Sequence, residues 1–212
     1  VAYMDTSTAN VTSVIDGKFY HFRSTEKDEN NGFKLLNGGG KDRKEIAKAV
    51  NHWADHALER HPAKDFNIVI HSLTGASGST TGPILVRRLL DAGKSVIVLA
   101  ALTDTSLQEL DNAQATITGY ENMAKLTGSP VVIKTYMENN QTATDQMIIS
   151  DLAHLRGLFS GVNQAMDTMD LKNWLKYSGK SVKMQPRMYT LDIYGGGRAM
   201  TEPALSVAAL AS

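Results

Sequence analysis

The segment from Ser95 to Leu102 constrains the fold of this chain most, because it is apolar on both faces. Strand side chains alternate between two faces, so such a strand must be covered on both sides, as in the middle of a parallel sheet. Phe66 to His71 has a buried-strand pattern and Val131 to Tyr136 is the next strand, and segments of helical periodicity separate all three. This alternation predicts an α/β fold, in which a doubly wound, mostly parallel sheet lies between two helical layers.

The helices are predicted from periodicity and from their stop signals. One runs from about Asp42 to just before Pro62, and another begins at Pro83, because proline is favoured at the first helical position. A third runs from Ser106 to Leu126. The clearest pattern, apolar at spacings of four and three, predicts one helix of roughly 20 residues and roughly 30 Å; it comprises Ile148, Leu152, Leu155, Phe159, Val162 and Met166.

The remaining segments have weaker sequence patterns. The stretch to Lys34 is predicted to be largely irregular. Short strands are predicted at Val1 to Met4, Lys18 to Phe22 and Arg187 to Tyr194, and further helices from Asp167 and from Glu202 to Leu210.

Composition excludes several classes of protein. The 212 residues include 22 basic and 22 acidic side chains, with no basic stripe, which argues against direct nucleic-acid binding. The absence of cysteine excludes disulfide scaffolds and thiolate metal sites. No apolar run is long enough to cross a bilayer and no leader pattern is present, so we expect a cytoplasmic protein without a membrane partner.

The segment from Ser72 to Gly82 is the strongest candidate for a ligand-binding loop. It is rich in glycine and hydroxyl residues and follows a buried strand, at the sheet edge where α/β proteins bind ligands. Backbone N–H groups and a helix N-terminus in such a loop suit phosphate. A flexible surface loop without a ligand is the alternative. Neither the P-loop pattern nor G-x-G-x-x-G is present.

This segment resembles the signature of the tubulin/FtsZ family, Gly-Gly-Gly-Thr-Gly-Ser/Thr-Gly, on the same strand-to-helix turn. The match is Thr74-Gly75-Ala76-Ser77-Gly78-Ser79-Thr80, which keeps the second and the fourth to sixth positions in kind. The first, third and last glycines are absent. Pro83 falls where FtsZ proteins have a proline.

Other landmarks of the family follow in the same order. Asp5-Thr6-Ser7 is similar to its Asp-Thr-Ser segment, and Asn37-Gly38-Gly39-Gly40 to its second glycine-rich phosphate loop. The helix ending near Met166 resembles its central helix. Asp167-Thr168-Met169-Asp170 resembles its acidic synergy loop, with Ala165 in place of the leading Asn. The compact loops are most similar to the divergent phage and plasmid branch, the PhuZ and TubZ filament proteins.

The resemblance implies a GTP-binding domain over residues 1–166 and the start of a smaller α+β second domain over residues 167–212. The family also has a strand and another glycine loop before the segment equivalent to Asp5, so the front end is expected to be missing. GTP or GDP with Mg²⁺ would be bound by Asp5, Thr6, Ser7, Gly38, Gly39, Gly40, Thr74, Gly75, Ala76, Ser77, Gly78 and Ser79. No protein residue is assigned to the metal.

The same resemblance supplies guanine contacts and catalytic groups. Asn139 or Asn140 and Asp151 are the candidates for reading the guanine, although each is also compatible with an ordinary solvent-facing residue. Asp167 and Asp170 of one subunit would orient the attacking water at the γ-phosphate held by the next. From the residues alone, an Asp before a helix with a second acid three residues on is also a helix-capping arrangement.

The implied function is a self-assembling filament that hydrolyses GTP between successive copies of the chain. A DNA-protein cargo or an adaptor is a possible further partner. A tubulin-like assembly module without catalysis is the first alternative.

Two other chemistries are weaker alternatives. Ser72 follows a strand as in an α/β-hydrolase, with Asp104 and His154 in the expected chain order. Both elbow glycines are absent, and the loop is expected to continue for about eight residues. His52 and His56 have the helical spacing of zinc ligands, but no H-E-x-x-H pattern is formed.

Overall fold

A computed structural model describes residues 1–9, 11–13, 16–36, 38, 43–102, 106–137, 140–160, 169–170, 173, 175 and 188–191. The helix predicted from Glu202 to Leu210 and the segment from 161 to 168, which includes Met166 and Asp167, lie outside these residues. The described elements are β1 (Tyr3–Asp5), β2 (Phe19–His21), β3 (Arg23–Lys27), β4 (Phe33–Leu35), α1 (Arg43–Arg60), β5 (Phe66–Ser72), α2 (Ala76–Asp91), β6 (Ser95–Ala101), α3 (Leu107–Thr127), β7 (Val131–Tyr136), α4 (Gln141–Phe159) and β8 (Met188–Thr190).

The main sheet is parallel, in the order β5-β6-β7-β8. Its strand β6 is buried along nearly its whole length, and its side chains alternate between two cores. Val96 and Val98 pack with α2 and α3 on one face, whereas Ile97 and Leu99 pack with α4 on the other. Helices therefore cover both faces, and the predicted three-layer α/β fold is confirmed.

Two small sheets precede the main one. Strand β1 pairs in parallel with β2, and β3 forms an antiparallel hairpin with β4. This hairpin corrects the prediction of an irregular stretch to Lys34. Its first strand reads RSTEK with only Ser24 buried, so it has no apolar alternation to reveal it. The turn is stabilised locally, because Oδ1 of Asp28 accepts from the Asn30 and Gly32 amides at 2.9 and 2.8 Å.

Helix α2 begins at Ala76, so the prediction of a start at Pro83 is wrong. Pro83 lies inside the helix, where it has no N–H to give to the carbonyl four residues earlier. That carbonyl belongs to Ser79, and it accepts instead from the Arg43 guanidinium at 2.8 Å and the Thr116 hydroxyl at 3.2 Å. Donors from neighbouring helices thus compensate for the hydrogen bond that the proline removes.

Two glycines allow α2 to lie unusually close to β5. A Cβ at Gly78 would come within 2.9 Å of the Ser72 backbone N and O, and one at Gly82 within 2.5 Å of the His71 ring. The side chain of His71 is held in place under the helix. Its Nδ1 donates to the Ser72 carbonyl at 2.9 Å, and its Nε2 accepts from the Tyr120 hydroxyl at 2.6 Å.

The largely desolvated imidazole of His71, packed under α2, predicts a loss of stability in acid. Burial lowers the pKa of His71, so the unfolded chain takes up this proton at a higher pH than the folded one. The contribution of neutral His71 to the free energy of unfolding is fully present above the unfolded-state pKa of about 6.5. It is lost as the pH falls through the lower pKa of the folded state. Urea unfolding between pH 7.5 and 5 should show a falling free energy, with a slope from this group of at most about 1.4 kcal/mol per pH unit. A His71→Gln variant should show a shallower decline, and an unchanged decline would contradict the assignment.

A groove of about 820 Å³ separates the small sheet β1-β2 from the main sheet. It is lined by β1 and β5 and floored by small residues of α2, including Gly78, Thr81 and Gly82. Among the described strands, β1 pairs only with β2 and β5 only with β6. Both strands therefore present an open backbone edge to the same groove.

Candidate functional site

The turn between β5 and α2 ends in a helix start that its own side chains do not cap. Oγ of Ser72 accepts from the amides of Thr74 and Gly75, at 3.2 Å each, and so shapes the turn. Gly75 occupies the N-cap position with extended backbone (φ −67°, ψ 142°) and contributes no side-chain cap. The amides that open α2 therefore lie at the positive end of its dipole, and no described side chain caps them, which suits an anion-binding helix start.

Three segments singled out in the sequence meet at this helix start. Oγ1 of Thr6 and Oγ of Ser77 lie 2.6 Å apart, within hydrogen-bonding distance. The Gly38 amide donates to the Thr6 carbonyl at 3.1 Å. Nε2 of His21 donates to the same carbonyl at 3.2 Å and to the Leu36 carbonyl at 3.0 Å. The Asp5–Ser7 segment, Gly38 and the start of α2 thus form one cluster of amides and hydroxyls, while Gly39 and Gly40 lie outside the described residues.

A polar network behind the loop escaped the sequence analysis. Nδ2 of Asn112 donates to the Thr74 carbonyl at 3.1 Å, and the Thr116 hydroxyl donates to the Asn112 carbonyl at 2.7 Å. Arg43, the first residue of α1, donates to the Ser79 carbonyl, to Oγ1 of Thr80 and to the Asn112 carbonyl. Its residues come from three helices that are distant in sequence, so no local pattern could have indicated it.

The guanine candidates have other partners in the structure. Asn140 is the N-cap of α4, and its Oδ1 accepts from the amides of Thr142 and Ala143 at 2.9 and 3.3 Å. Asp151 is buried; its Oδ2 accepts from the Tyr136 hydroxyl at 2.7 Å and lies 3.3 Å from Nζ of Lys134. Burial, followed by the carboxylate of Asp151, raises the pKa of Tyr136, so the phenol stays protonated as the donor. Asn139 lies outside the described residues, and the guanine roles stay predictions.

The helix cap at Asn140 gives a local prediction about stability. Asn140→Ala removes the acceptor for two amides of the first turn of α4. We expect a loss of about 1 kcal/mol in the free energy of unfolding, as for other N-cap deletions. Chemical denaturation measures it directly. Asn140→Asp keeps the acceptor and should retain most of the stability; an equal loss in both variants would contradict a capping role.

The acidic residues are only partly described. Asp167 lies outside the described residues, and Asp170 is exposed and helical. The predicted roles of both acids in water activation therefore stay predictions.

The hydrolase alternative finds no support in the geometry. The Ser72 hydroxyl is occupied in shaping its turn, and it also lies 3.0 Å from Oγ1 of Thr74. His154 is exposed on α4, and no described hydrogen bond joins it to Ser72. Asp104 lies outside the described residues. The turn before α2 is shorter than the eight residues expected, and a short turn is what a hydrolase elbow would have. However, no described residue supplies the base that a serine nucleophile needs.

No cluster of three or more potential metal-ligating side chains (His, Cys, Asp or Glu) occurs among the described residues. His52 and His56 are exposed on α1, and Nδ1 of His56 lies 2.7 Å from the Tyr20 hydroxyl. The described helices also include none that is long and apolar enough to cross a membrane.

No protein-family model matches the chain. Its fold is that of the tubulin-like α/β domains: the protofilament structure of TubZ from bacteriophage PhiKZ superimposes with a TM-score of 0.80 and 28% identity, over 90% of this chain and 59% of that one. A structure of the phage tubulin PhuZ with GDP gives a TM-score of 0.73 over 90% of this chain and 58% of that one, and at 23% identity it supports the fold alone.

Within the class of tubulin-like folds, sequence comparison identifies the family of this chain. A phage tubulin-like protein of Pseudomonas phage PhiPA3 is 35% identical over 160 residues, which are 74% of this chain and 50% of the relative. The chain belongs to the family of phage tubulin-like proteins. It spans about half the length of the curated relatives that it matches.

Proposed function

We propose that this chain is the nucleotide-binding part of a filament protein that binds GTP and hydrolyses it between successive subunits. The observation that carries the proposal is the 2.6 Å contact between the Thr6 and Ser77 hydroxyls. It joins two segments far apart in sequence at the uncapped start of α2. Backbone amides, hydroxyls and a helix dipole converge there, and these are the groups that bind a polyphosphate.

The cluster also suits the metal that accompanies a nucleoside triphosphate. Mg²⁺ prefers oxygen ligands and is held by one or two protein groups together with the phosphates. Asp5, Thr6 and Ser77 supply a carboxylate and two hydroxyls at the cluster. Mg²⁺ would neutralise charge on the phosphates, while the amides of residues 76–78 would orient them.

Guanine recognition is proposed for polar residues after β7 and in α4. Asn139, Asn140 and Asp151 are proposed as the residues that read the base. The proposed ligand is a guanine nucleotide, as the resemblance to the tubulin family implies; one solved phage tubulin of the same fold contains GDP.

Hydrolysis is proposed to require a second copy of the chain. In the head-to-tail contact that builds an open filament, one subunit would present Asp167 and Asp170 to the nucleotide of the next. Phosphoryl transfer depends mainly on positioning and charge stabilisation, so two carboxylates and one Mg²⁺ suffice to orient the water. Two of the compared structures are TubZ and PhuZ filaments, which supports self-assembly as the main interaction.

The cellular setting follows from the family. We propose that the filament acts in the cytoplasm of a bacterial host, without membrane attachment or direct nucleic-acid binding. An adaptor or a DNA-protein cargo would be its further partner.

Light scattering and phosphate release, measured together across a concentration series with GTP and Mg²⁺, test this function. Phosphate release that begins only above a critical concentration, in step with scattering, is the expected result. Assembly with GTP but no phosphate release at any concentration would favour the non-catalytic assembly module. No response of either signal to GTP would contradict the proposal.

A further inference from the structure

Arg43 occupies a position that local helix preferences disfavour. It is the first described residue of α1, and a cation near a helix N-terminus opposes the macrodipole. Departures from local rules of this kind concentrate at functional sites. The contacts of its side chain, which reaches away from its own helix, give the reason for the placement.

The guanidinium of Arg43 connects three helices. It donates to the Ser79 carbonyl at 2.8 Å in α2, to Oγ1 of Thr80 at 3.3 Å, and to the Asn112 carbonyl at 3.3 Å in α3. All three acceptors are uncharged. No carboxylate of the described residues lies within ion-pair distance, and burial lowers the pKa of the half-buried guanidinium.

Pro83 makes the strongest of these contacts available. In a regular helix the Ser79 carbonyl would accept from the amide of residue 83, but proline has none. Ser79 directly follows residues 76–78, whose amides open α2 at the cluster with Thr6, and its own amide donates to the Gly75 carbonyl at 2.9 Å in the first turn of the helix. A positive charge is thereby fixed to the back of this stretch, and the loop itself contains no lysine or arginine.

We propose that Arg43 is a positioning residue for the polyphosphate: through the Ser79 carbonyl it holds the start of α2 in place, and it supplies the positive potential that the loop lacks. This inference rests on the proposed function and adds a residue to its site. Its effect must grow with the number of phosphates on the ligand, because the field of a fixed charge acts on each added negative charge. A residue that only braced the fold would affect all nucleotides alike.

The test is competition of GMP, GDP and GTP against a fluorescent GTP analogue, at fixed Mg²⁺, for the wild type, Arg43→Met and Arg43→Lys. Arg43→Met should weaken GTP about tenfold, equivalent to about 1.4 kcal/mol. GDP should weaken less, and GMP by less than about twofold. Arg43→Lys keeps the charge but not the planar fork, so its losses should be intermediate.

Arg88→Met is the matched control. Arg88 also joins α2 to α1, through Asp55 at 3.0 Å, but it lies at the other end of α2. This variant should bind all three nucleotides like the wild type. Circular dichroism checks the fold of each variant, and if Arg43→Met does not fold, Arg43→Lys still has to show the graded loss.

Three outcomes separate the inference from the proposed function. A loss that grows from GMP to GTP supports the inference. Equal losses for the three nucleotides, or none, in a protein whose wild type binds GTP would overturn the inference alone. A wild type that binds none of them would overturn the proposed function, and the inference with it.

Discussion

Replacing Asp167 with alanine is expected to reduce GTP turnover by about 10²- to 10³-fold while leaving GTP binding and filament assembly intact. On the proposed mechanism, this carboxylate acts only in the transition state, on the water that attacks a nucleotide held by the neighbouring subunit. Its loss should therefore lower the turnover rate without changing the affinity for GTP. Phosphate release above the critical concentration measures the first quantity, and nucleotide competition the second.

Asp170→Ala should behave in the same way, and Glu59→Ala is a suitable control. Glu59 is an exposed acid near the end of α1 and has no role in the proposed mechanism, so removing it changes the net charge equally. The Asp167→Ala variant can also be mixed with a variant that keeps Asp167 but cannot bind nucleotide. In mixed filaments the second variant can present Asp167 to nucleotide held by the first, so partial recovery of turnover is expected. Unchanged turnover in Asp167→Ala, with stability reduced instead, would identify the residue as a helix cap.

Gly82→Ala is expected to destabilise the fold by about 2–3 kcal/mol. The new Cβ would come within 2.5 Å of two atoms of the His71 ring. The ring cannot move aside cheaply, because Ser72 and Tyr120 hold both of its nitrogens. Either α2 is pushed away from β5 or these hydrogen bonds are broken. Denaturant unfolding should show a lower midpoint with little change in slope.

Gly119→Ala is the matched control for this substitution. Gly119 also lies inside a helix, but a Cβ there would meet nothing within 4 Å. Without a clash, alanine is the better helix former, and a gain of about 0.5–1 kcal/mol is expected. Opposite signs for the two glycines would identify steric contact as the cause, whereas a similar loss in both would contradict it.

The sequence predicts the layered core well, because buried apolar residues recur in it with the spacing of a helix or a strand. Strand β6 is apolar at every position after Ser95, which only a strand covered on both faces tolerates, and it lies inside the parallel sheet as expected. The helix over Leu107–Thr127 was equally readable, since it begins after Ser106 and ends before Gly128, which adopts a left-handed conformation (φ 64°).

The errors arose where distant residues outweigh local preference. Pro83 was read as a helix start, because proline is common there, yet Arg43 and Thr116 satisfy the carbonyl that it leaves open in mid-helix. The predicted loop segments do come together at Thr6 and Ser77. Arg43 and Asn112 were missed, since only the packing of three helices gives them their role.

The groove between β1 and β5 affects how this chain behaves in concentrated solution. Unsatisfied strand edges recruit extended segments from other molecules, by the same backbone pairing that builds a sheet. The open edges of the described strands β1 and β5 should therefore promote association at high concentration, whether or not nucleotide is present. Such association would be irregular and insensitive to GTP, and it would raise the scattering baseline above which ordered polymer is detected. Lysines introduced on the open edge of β5 would repel such neighbours and should lower that baseline.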